Sequence, residues 1–598
     1  MPFAWMWMLP DELKRFGQSL VSVALFSSNI YFTKTTDYFA PLAEEQPLLH
    51  TWSLAVEEQY YVLFPLFVIA CWRFGKSKLF WITAATACVS LALAEWAASS
   101  HPIENFYLLP TRAWELLAGS LIAYIPAMQQ KQLGTGWRAE AATLLGLAAI
   151  AYAVFSFDSS TPFPSLYALI PVIGTVCLLV FSSGNNLTGK VLSNKYLVGI
   201  GLISYSAYLW HQPLFAFARI YGMTAPQDVT YLYLSLLSLV LAWVSWKFVE
   251  TPCRTFKFSQ ARVLTASAAS LLVAVVAGGI LHVNNGFSSR YSQEFVNVLK
   301  NHNRPSCSTS LAGSAFPNCS YGAEGKEKII IVGDSHAENL IAGIEQDPDF
   351  LNAYHVIQAT TPGCMPVGGI ARWDRRPYEN CVEFNQQVRA YLKNNPDATL
   401  VVLARWPLYL SGTRYAGRAN GVEPGEEIHL SLASSQAHNG SEAFAAWVEN
   451  DLHELMSSTK KAIWINPVPE LGWSAPRLFL RNAPPSYLST LDMYEARNQL
   501  VFKIRDALEK STPTLRVVKT ENIFCGGKNK ECQIKDETLP LYVDTNHLSK
   551  AGAKLLVMDL KRVLDEHPAA GANGSTGTAD NHPLSGQVLS MAEPVRLQ

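Results

Sequence analysis

Charge is what this chain has least of. Asp, Glu, Lys and Arg together make up only 16% of its 598 residues, and they nearly cancel to a formal net charge of −1. No basic stripe is left over to track a phosphate backbone, so a nucleic-acid partner is not expected. The His, Cys, Asp and Glu residues show no spacing of a metal centre, and no Gly-rich loop has the form that cradles phosphates, so no metal is expected. Residues 1–10 lack the basic start and small-residue cleavage site of a signal peptide and are too short to cross a bilayer; they read as the tail of a cut helix.

Apolar material is plentiful, at 49% of residues, and it is unevenly spread. Up to about Val283 long apolar runs alternate with short charged gaps; beyond it charges, prolines and short alternating segments prevail. Segments 50–71, 79–98, 110–128, 140–157, 164–182, 197–218, 230–249 and 263–283 are each apolar enough to cross ~30 Å of hydrocarbon, allowing for tilt. Segment 11–32 reads as a helix at the membrane surface or only partly inserted. Arg73, Lys76 and Lys78, then Lys131 and Arg138, then Lys190 and Lys195, then Arg254, Lys257 and Arg262 fall in alternate gaps, which the positive-inside rule assigns to the cytoplasm. The 263–283 helix then delivers the polar half to the far side. Glu57, Glu58, Arg112, Glu115 and His211 are costly in hydrocarbon and are expected to share a polar cavity in the bundle, with a structural Arg112–Glu115 pair as the blander role.

The ten cysteines divide in the same way. Cys71, Cys88, Cys177 and Cys253 lie in or beside apolar runs, where a thiol behaves as a small hydrophobe. Cys307, Cys319, Cys364, Cys381, Cys525 and Cys532 lie in the polar half, in sequence-close pairs that suggest disulfides and an oxidising compartment. Nearest-neighbour pairing is one connectivity among the several that six cysteines allow.

The polar half alternates strand candidates at 328–332, 355–359, 399–404, 462–466 and 515–519 with helix candidates at 337–345, 383–394, 442–458, 488–510 and 549–566. That order implies a mainly parallel sheet with helices on both faces. The stretch 284–328 has no clear period and reads as a linker, and 567–598 as a disordered tail. At 329–340 an Ile-Ile-Ile-Val run ends in Gly333-Asp334-Ser335 and passes into helix formers, setting Ser335 at the carboxyl end of a buried strand, where open α/β sheets keep their chemistry. A serine needs a base, and the base an orienting group. Asp544-Thr545-Asn546-His547, just before the final helix, supplies both: Ser335 nucleophile, His547 general base, Asp544 orienter. His336 is expected to be structural or substrate-facing, and Cys364 a half-cystine. Oxyanion donors are the Ser335 amide and Gly363. The third strand ends in Ala404-Arg405-Trp406-Pro407 with no Gly-x-Asn, so Arg405 is expected to shape or charge the site.

At these residues the polar half resembles an SGNH-type hydrolase or acetyltransferase domain: Gly333-Asp334-Ser335 matches its first block and Asp544-Thr545-Asn546-His547 its last, while Arg405-Trp406 replaces the block that supplies Asn. The membrane half is similar to the acyltransferase-3 family through 48–59 (Leu-Leu-His-Thr-Trp-Ser-Leu-Ala-Val-Glu-Glu-Gln), 112–116 (Arg-Ala-Trp-Glu-Leu), 203–211 (Ile-Ser-Tyr-Ser-Ala-Tyr-Leu-Trp-His) and 247–252 (Lys-Phe-Val-Glu-Thr-Pro). In that family a first helix with an essential histidine and a third helix opening with Arg-x-x-Arg precede the Trp-Ser-Leu stretch. Here Met1 falls where the third helix should be well advanced, so the chain is read as lacking those first helices. The resemblance implies a multi-domain protein: 1–262 an acyltransferase-3 membrane domain, 263–283 an additional membrane helix, 284–328 a linker, and 329–566 a periplasmic SGNH domain. It further implies a bacterial inner-membrane O-acetyltransferase that moves acetyl from cytoplasmic acetyl-CoA to a lipid-linked or polymeric envelope sugar such as lipopolysaccharide O-antigen. A membrane-tethered carbohydrate esterase and a truncated, inactive scaffold are the alternatives.

Overall fold

The computed structural model describes residues 1–35, 43–125, 133–158, 161–184, 186–222, 228–255, 258–300, 304–307, 318–372, 379–419, 421–423, 425, 427–432, 437–526 and 530–566. The tail at 567–598, the end of the 110–128 span, Lys131 and Lys257 lie outside them.

Among the described residues five helices are long and apolar enough to cross a membrane: Thr51–Trp72, Lys76–Ser100, Trp137–Ser156, Val229–Arg254 and Gln260–Val283. The other three expected spans differ in kind. The 164–182 run becomes the shorter apolar helix Leu166–Phe181, and 110–128 becomes Leu109–Ile122. Lys195–Gly222 is the longest helix at 28 residues, but Ser204, Ser206, Tyr208, His211 and Gln212 dilute its apolar character. The 11–32 stretch splits into Pro10–Ala24 and Ser28–Thr35, broken near Phe26, whose φ is 52°. Pro10–Ala24 packs on Gln260–Val283 rather than lying apart: a Cβ on Gly278 would stand 2.4 Å from the Gly17 carbonyl oxygen, and Leu13 and Leu281 are buried beside this approach. Small residues permit such backbone contact between membrane helices.

The polar half is built on six strands: β1 (Ser320–Tyr321), β2 (Glu327–Gly333), β3 (Tyr354–Thr360), β5 (Thr399–Leu403), β7 (Lys461–Ile465) and β8 (Leu515–Val518), in the order β1-β3-β2-β5-β7-β8. All neighbours pair in parallel except β1, which runs antiparallel to β3. β4 (Ile370–Arg372) and β6 (Leu430–Leu432) form a separate antiparallel pair. The part of 284–328 read as linker therefore contributes an edge strand, pinned by the Cys307–Cys319 disulfide. The other two disulfides join Cys364 to Cys381 and Cys525 to Cys532.

Both faces of the sheet are covered, which is why β2 reads as an unbroken apolar run rather than an alternating one. Ile330 and Val332 face a core with Leu400, Val402 and the stacked pair Trp406–Trp464, whose ring centroids are 4.9 Å apart. Ile329 and Ile331 face the opposite core, shared with the helices Ser335–Ile344 and Lys550–Asp565. The chain leaves β2 for β3 on one side and later returns to β5 on the other, so the carboxyl end of β2 is the switch point where a crevice opens.

Candidate active site

The corner after β2 is sterically determined. A Cβ on Gly333 would lie 1.8 Å from the Leu403 carbonyl oxygen and 2.7 Å from Ala337 Cβ, so only glycine fits between β5 and the following helix. Asp334 caps that helix. Its Oδ1 accepts the His336 backbone N–H at 2.9 Å, and its Oδ2 accepts the Arg405 backbone N–H at 3.0 Å and the Tyr409 hydroxyl at 2.8 Å. Ser335 is thus the first residue of Ser335–Ile344, where its amide has no acceptor within the helix.

The opposing loop is equally constrained. Asp544 Oδ1 accepts the backbone N–H groups of Asn546 and His547 at 2.8 and 2.7 Å, closing a tight turn that aims the imidazole back at its own carboxylate. Gly343 admits Ala553 so closely that a Cβ would stand 2.8 Å from the Ala553 Cβ, drawing Lys550–Asp565 and the loop before it onto the serine helix. His547 Nδ1 lies 2.6 Å from Asp544 Oδ2, and its Nε2 lies 2.8 Å from Ser335 Oγ. Ser335 and His547 are buried, and Asp544 is half-buried.

This geometry sets the tautomer. Asp544 accepts Nδ1–H, leaving the Nε2 lone pair to receive the serine proton. Burial alone would lift the Asp544 pKa, but the adjacent His547 and two backbone N–H groups hold it well below the usual carboxylate range. Burial alone would lower the His547 pKa; the Asp544 charge outweighs it, and the net direction is up.

The neighbours have distinct parts. His336 is buried with its ring centroid 5.0 Å from that of His547, and its Nε2 meets Asn546 Oδ1 at 3.1 Å. Burial pushes its pKa down to about 4, so it stays neutral. Arg405 both shapes and charges the site: its guanidinium is tied to Glu423 and Glu470, its backbone N–H holds Asp334, and its positive charge acts against protonation of His547 and His336. Gly363, at φ 72°, lies in the turn after β3; because Thr360 pairs with Gly333, that turn runs beside the serine corner. The sequence reading missed Tyr409, Asn546 and Glu338. Glu338 is buried one turn beyond Ser335, where burial lifts its pKa to about 7. Its i, i+3 spacing from the serine was the available signal; for Tyr409 there was none.

In the membrane half three of the five ionisable residues are linked through aromatic neighbours rather than directly: Tyr208 feels the Glu57 charge and its ring lies 5.4 Å from that of His211, and Tyr205 feels both Glu57 and Glu58. Among the described residues, Arg112 meets Glu115 at 3.2 Å, Glu57 accepts from Tyr61 on its own helix, and His211 Nδ1 lies 2.7 Å from the Tyr208 carbonyl; no such bond or pair joins these groups, or Glu58, to one another. The motif stretches themselves do converge. Arg112 sits over the rings of Trp52, Phe106 and Phe163 at 5.2, 5.7 and 5.1 Å. Ser53 Oγ meets Tyr208 Oη at 2.7 Å, the His50 and His211 rings are 5.5 Å apart, and Ser206 donates to Glu250 at 3.3 Å.

Comparison with known proteins gives two matched families. Residues 13–247 match the family described as "Acyltransferase domain", and residues 306–562 match "SGNH domain (fused to AT3 domains)". The peptidoglycan O-acetyltransferase OatA of Listeria monocytogenes is 24% identical over 258 residues, covering 41% of this chain and 41% of that protein. The O-acetyltransferase OatA of Staphylococcus aureus is 28% identical over 257 residues, covering 41% and 42%. The match thus spans about two-fifths of the length of these relatives. A solved periplasmic domain of a Salmonella ser. Paratyphi A lipopolysaccharide acetyltransferase is 16% identical, covering 40% of this chain and 84% of that one, with a TM-score of 0.29.

Proposed function

From a chain that belongs to the proteins joining an acyltransferase membrane domain to an SGNH domain, we propose an O-acetyltransferase acting on an envelope polysaccharide, with Ser335 as acetyl carrier. The observation that carries this reading is the Ser335–His547–Asp544 chain, at 2.8 and 2.6 Å, on a domain fused to motif-bearing membrane helices. The membrane half draws acetyl from cytoplasmic acetyl-CoA and passes it outward to the SGNH domain on the periplasmic side of an inner membrane. One relative is named for peptidoglycan; an O-antigen hydroxyl is the acceptor proposed here, as the family resemblance implies.

His547 Nε2 takes the Ser335 proton as Oγ attacks the acetyl carbonyl, and returns it to the departing donor group. The Ser335 amide supports the oxyanion, with Gly363 the second candidate donor. In the second half the acceptor sugar hydroxyl gives its proton to His547 and attacks the acetyl carbonyl. The Ser335–acetyl bond breaks, and His547 reprotonates Oγ. Asp544 keeps the imidazole oriented and balances its charge in both halves.

Mass spectrometry of surface glycans from cells expressing the full chain or Ser335→Ala tests this. Acetyl addition is expected with the first and lost with the second, while both insert in the membrane alike. Acetylation that persists in Ser335→Ala removes the serine from transfer, and acetate release from aryl esters without glycan acetylation replaces transfer with an esterase.

A further inference from the structure

One continuous segment, 470–481, touches both turns of the candidate site and then reaches the membrane half. At its start Glu470 Oε1 accepts Arg405 Nε at 2.8 Å, and the Arg405 backbone holds Asp334 beside the serine. Next, the Leu471 N–H donates to the Thr545 carbonyl at 2.9 Å and the Ala475 N–H to the Asp544 carbonyl at 3.0 Å, so the loop that carries the orienting carboxylate is stitched to this segment. The chain then turns into the short helix Ala475–Leu480, which buries Ala475 and Leu478 in the SGNH core and presents Arg477 and Phe479 outward.

Three pieces of the membrane half, at Glu12, Glu45 and Ile220–Tyr221, and one helix of the 284–328 stretch receive it. Arg477 Nη2 lies 2.7 Å from Glu12 Oε1 on Pro10–Ala24 and 2.8 Å from Glu45 Oε2, with only 15% of its side chain exposed. Phe479 stacks on Phe295 of Gln293–Lys300, with ring centroids 5.6 Å apart and planes 18° apart. Arg481 Nη2 donates to the Ile220 carbonyl at 3.0 Å and Nη1 to that of Tyr221, the last turn of Lys195–Gly222, the helix that also carries Tyr208 and His211. A guanidinium bridging two carboxylates in a largely dry contact fixes direction as well as distance.

We propose that 470–481 is a docking strap and that Arg477 is its positioning residue, holding the Ser335 corner in register with the membrane half so that acyl groups pass between them. This rests on the transfer reading above for its purpose, but not for its existence. A loss of register of about 1 Å is enough to slow a transfer by roughly a hundredfold while leaving the reacting groups themselves intact.

The full chain in bilayer nanodiscs, as wild type, Arg477→Lys and Arg477→Glu, is examined for amide exchange and for labelling of Ser335 by a sulfonyl fluoride, and the same variants in cells for glycan acetylation. In Arg477→Glu, three carboxylates are brought together, and exchange over 475–481 is expected to rise at least about tenfold. Labelling stays within about twofold, because the triad is untouched, while acetylation falls at least about tenfold. Arg477→Lys, which keeps the charge but not the fork, falls between. Unchanged exchange over 475–481 in Arg477→Glu overturns the strap. Labelling that falls in step with acetylation, or acetylation that survives undocking, overturns the positioning role. If wild type is labelled but acetylates nothing while the exchange difference stands, the transfer reading has failed and the strap has not.

Discussion

In the SGNH half the β2 side chains Ile329, Ile330, Ile331 and Val332 are at most 2% exposed, whereas in the membrane half Trp81, Leu145, Phe155 and Leu272 stand between 63% and 87% exposed. Inside the membrane half Asn105 Nδ2 donates to the Ala94 and Pro164 carbonyls at 3.1 and 2.8 Å, Ser90 Oγ to the Pro110 carbonyl at 2.6 Å, and Thr143 to Thr188 at 3.1 Å. Expelling water from apolar surface assembles one half. The other, facing hydrocarbon, gains nothing that way, and its helices are held by buried hydrogen bonds and by close backbone approaches such as Gly146 on Gly174, where a Cβ would stand 2.7 Å from the facing carbonyl oxygen. The same substitution therefore has different consequences on the two sides of residue 284.

The sharpest contrast concerns charge. Arg405 is 4% exposed and bridges Glu423 and Glu470; Arg405→Ala leaves Glu423 with Arg414 and Glu470 with Arg497, so the buried network is broken but not stripped of positive charge, and the SGNH domain is expected to lose about 3 kcal/mol. Denaturant unfolding followed by near-ultraviolet circular dichroism measures it, and a loss under 1 kcal/mol would mean that water reaches the network.

Truncating leucines tests the apolar side of the comparison. Leu340→Ala, at a fully buried position, is expected to cost about 2–5 kcal/mol. Leu145→Ala, 69% exposed, is expected to cost under about 0.5 kcal/mol in lipid nanodiscs, because hydrocarbon replaces the lost contacts. Equal thermal shifts for the two variants would erase the distinction between the halves.

A smaller effect follows from pH. His547 has a raised folded pKa, so its pairing with Asp544 contributes stability that is full below the unfolded value of ~6.5 and is lost as pH rises through the higher folded one. Reactivity runs the other way, since only neutral imidazole accepts a proton. The rate of Ser335 labelling should rise along a limb lying above ~6.5, and Asp544→Asn should move that limb down while slowing the plateau. A wild-type limb at or below the ordinary histidine value would contradict the geometry.

Much of this was readable from residues alone, for physical reasons. The strands β2, β3, β5, β7 and β8 lie within about a residue of the apolar runs, because strands buried on both faces must be continuous in sequence. Ser335, Asp544 and His547 were legible because a strand end and a helix start are places that pattern can locate. β1 was not, being two residues long and held by a disulfide and by β3 rather than by its own periodicity. The partners of the membrane charges were not legible for a related reason: cost in hydrocarbon says that Glu57, Arg112 and His211 need partners, but not which ones. Nothing in the sequence singles out Arg477, since its partners Glu12 and Glu45 are more than four hundred residues away.

Asp334 spends its carboxylate on three donors, and Gly333 leaves no space for a side chain, so the shape of the corner is settled before the group at 335 is counted. The hydroxyl is a tenant in a socket that does not depend on it. A thiol placed there would occupy the same point in front of the same imidazole, which makes the reactivity of this domain exchangeable in a way its architecture is not.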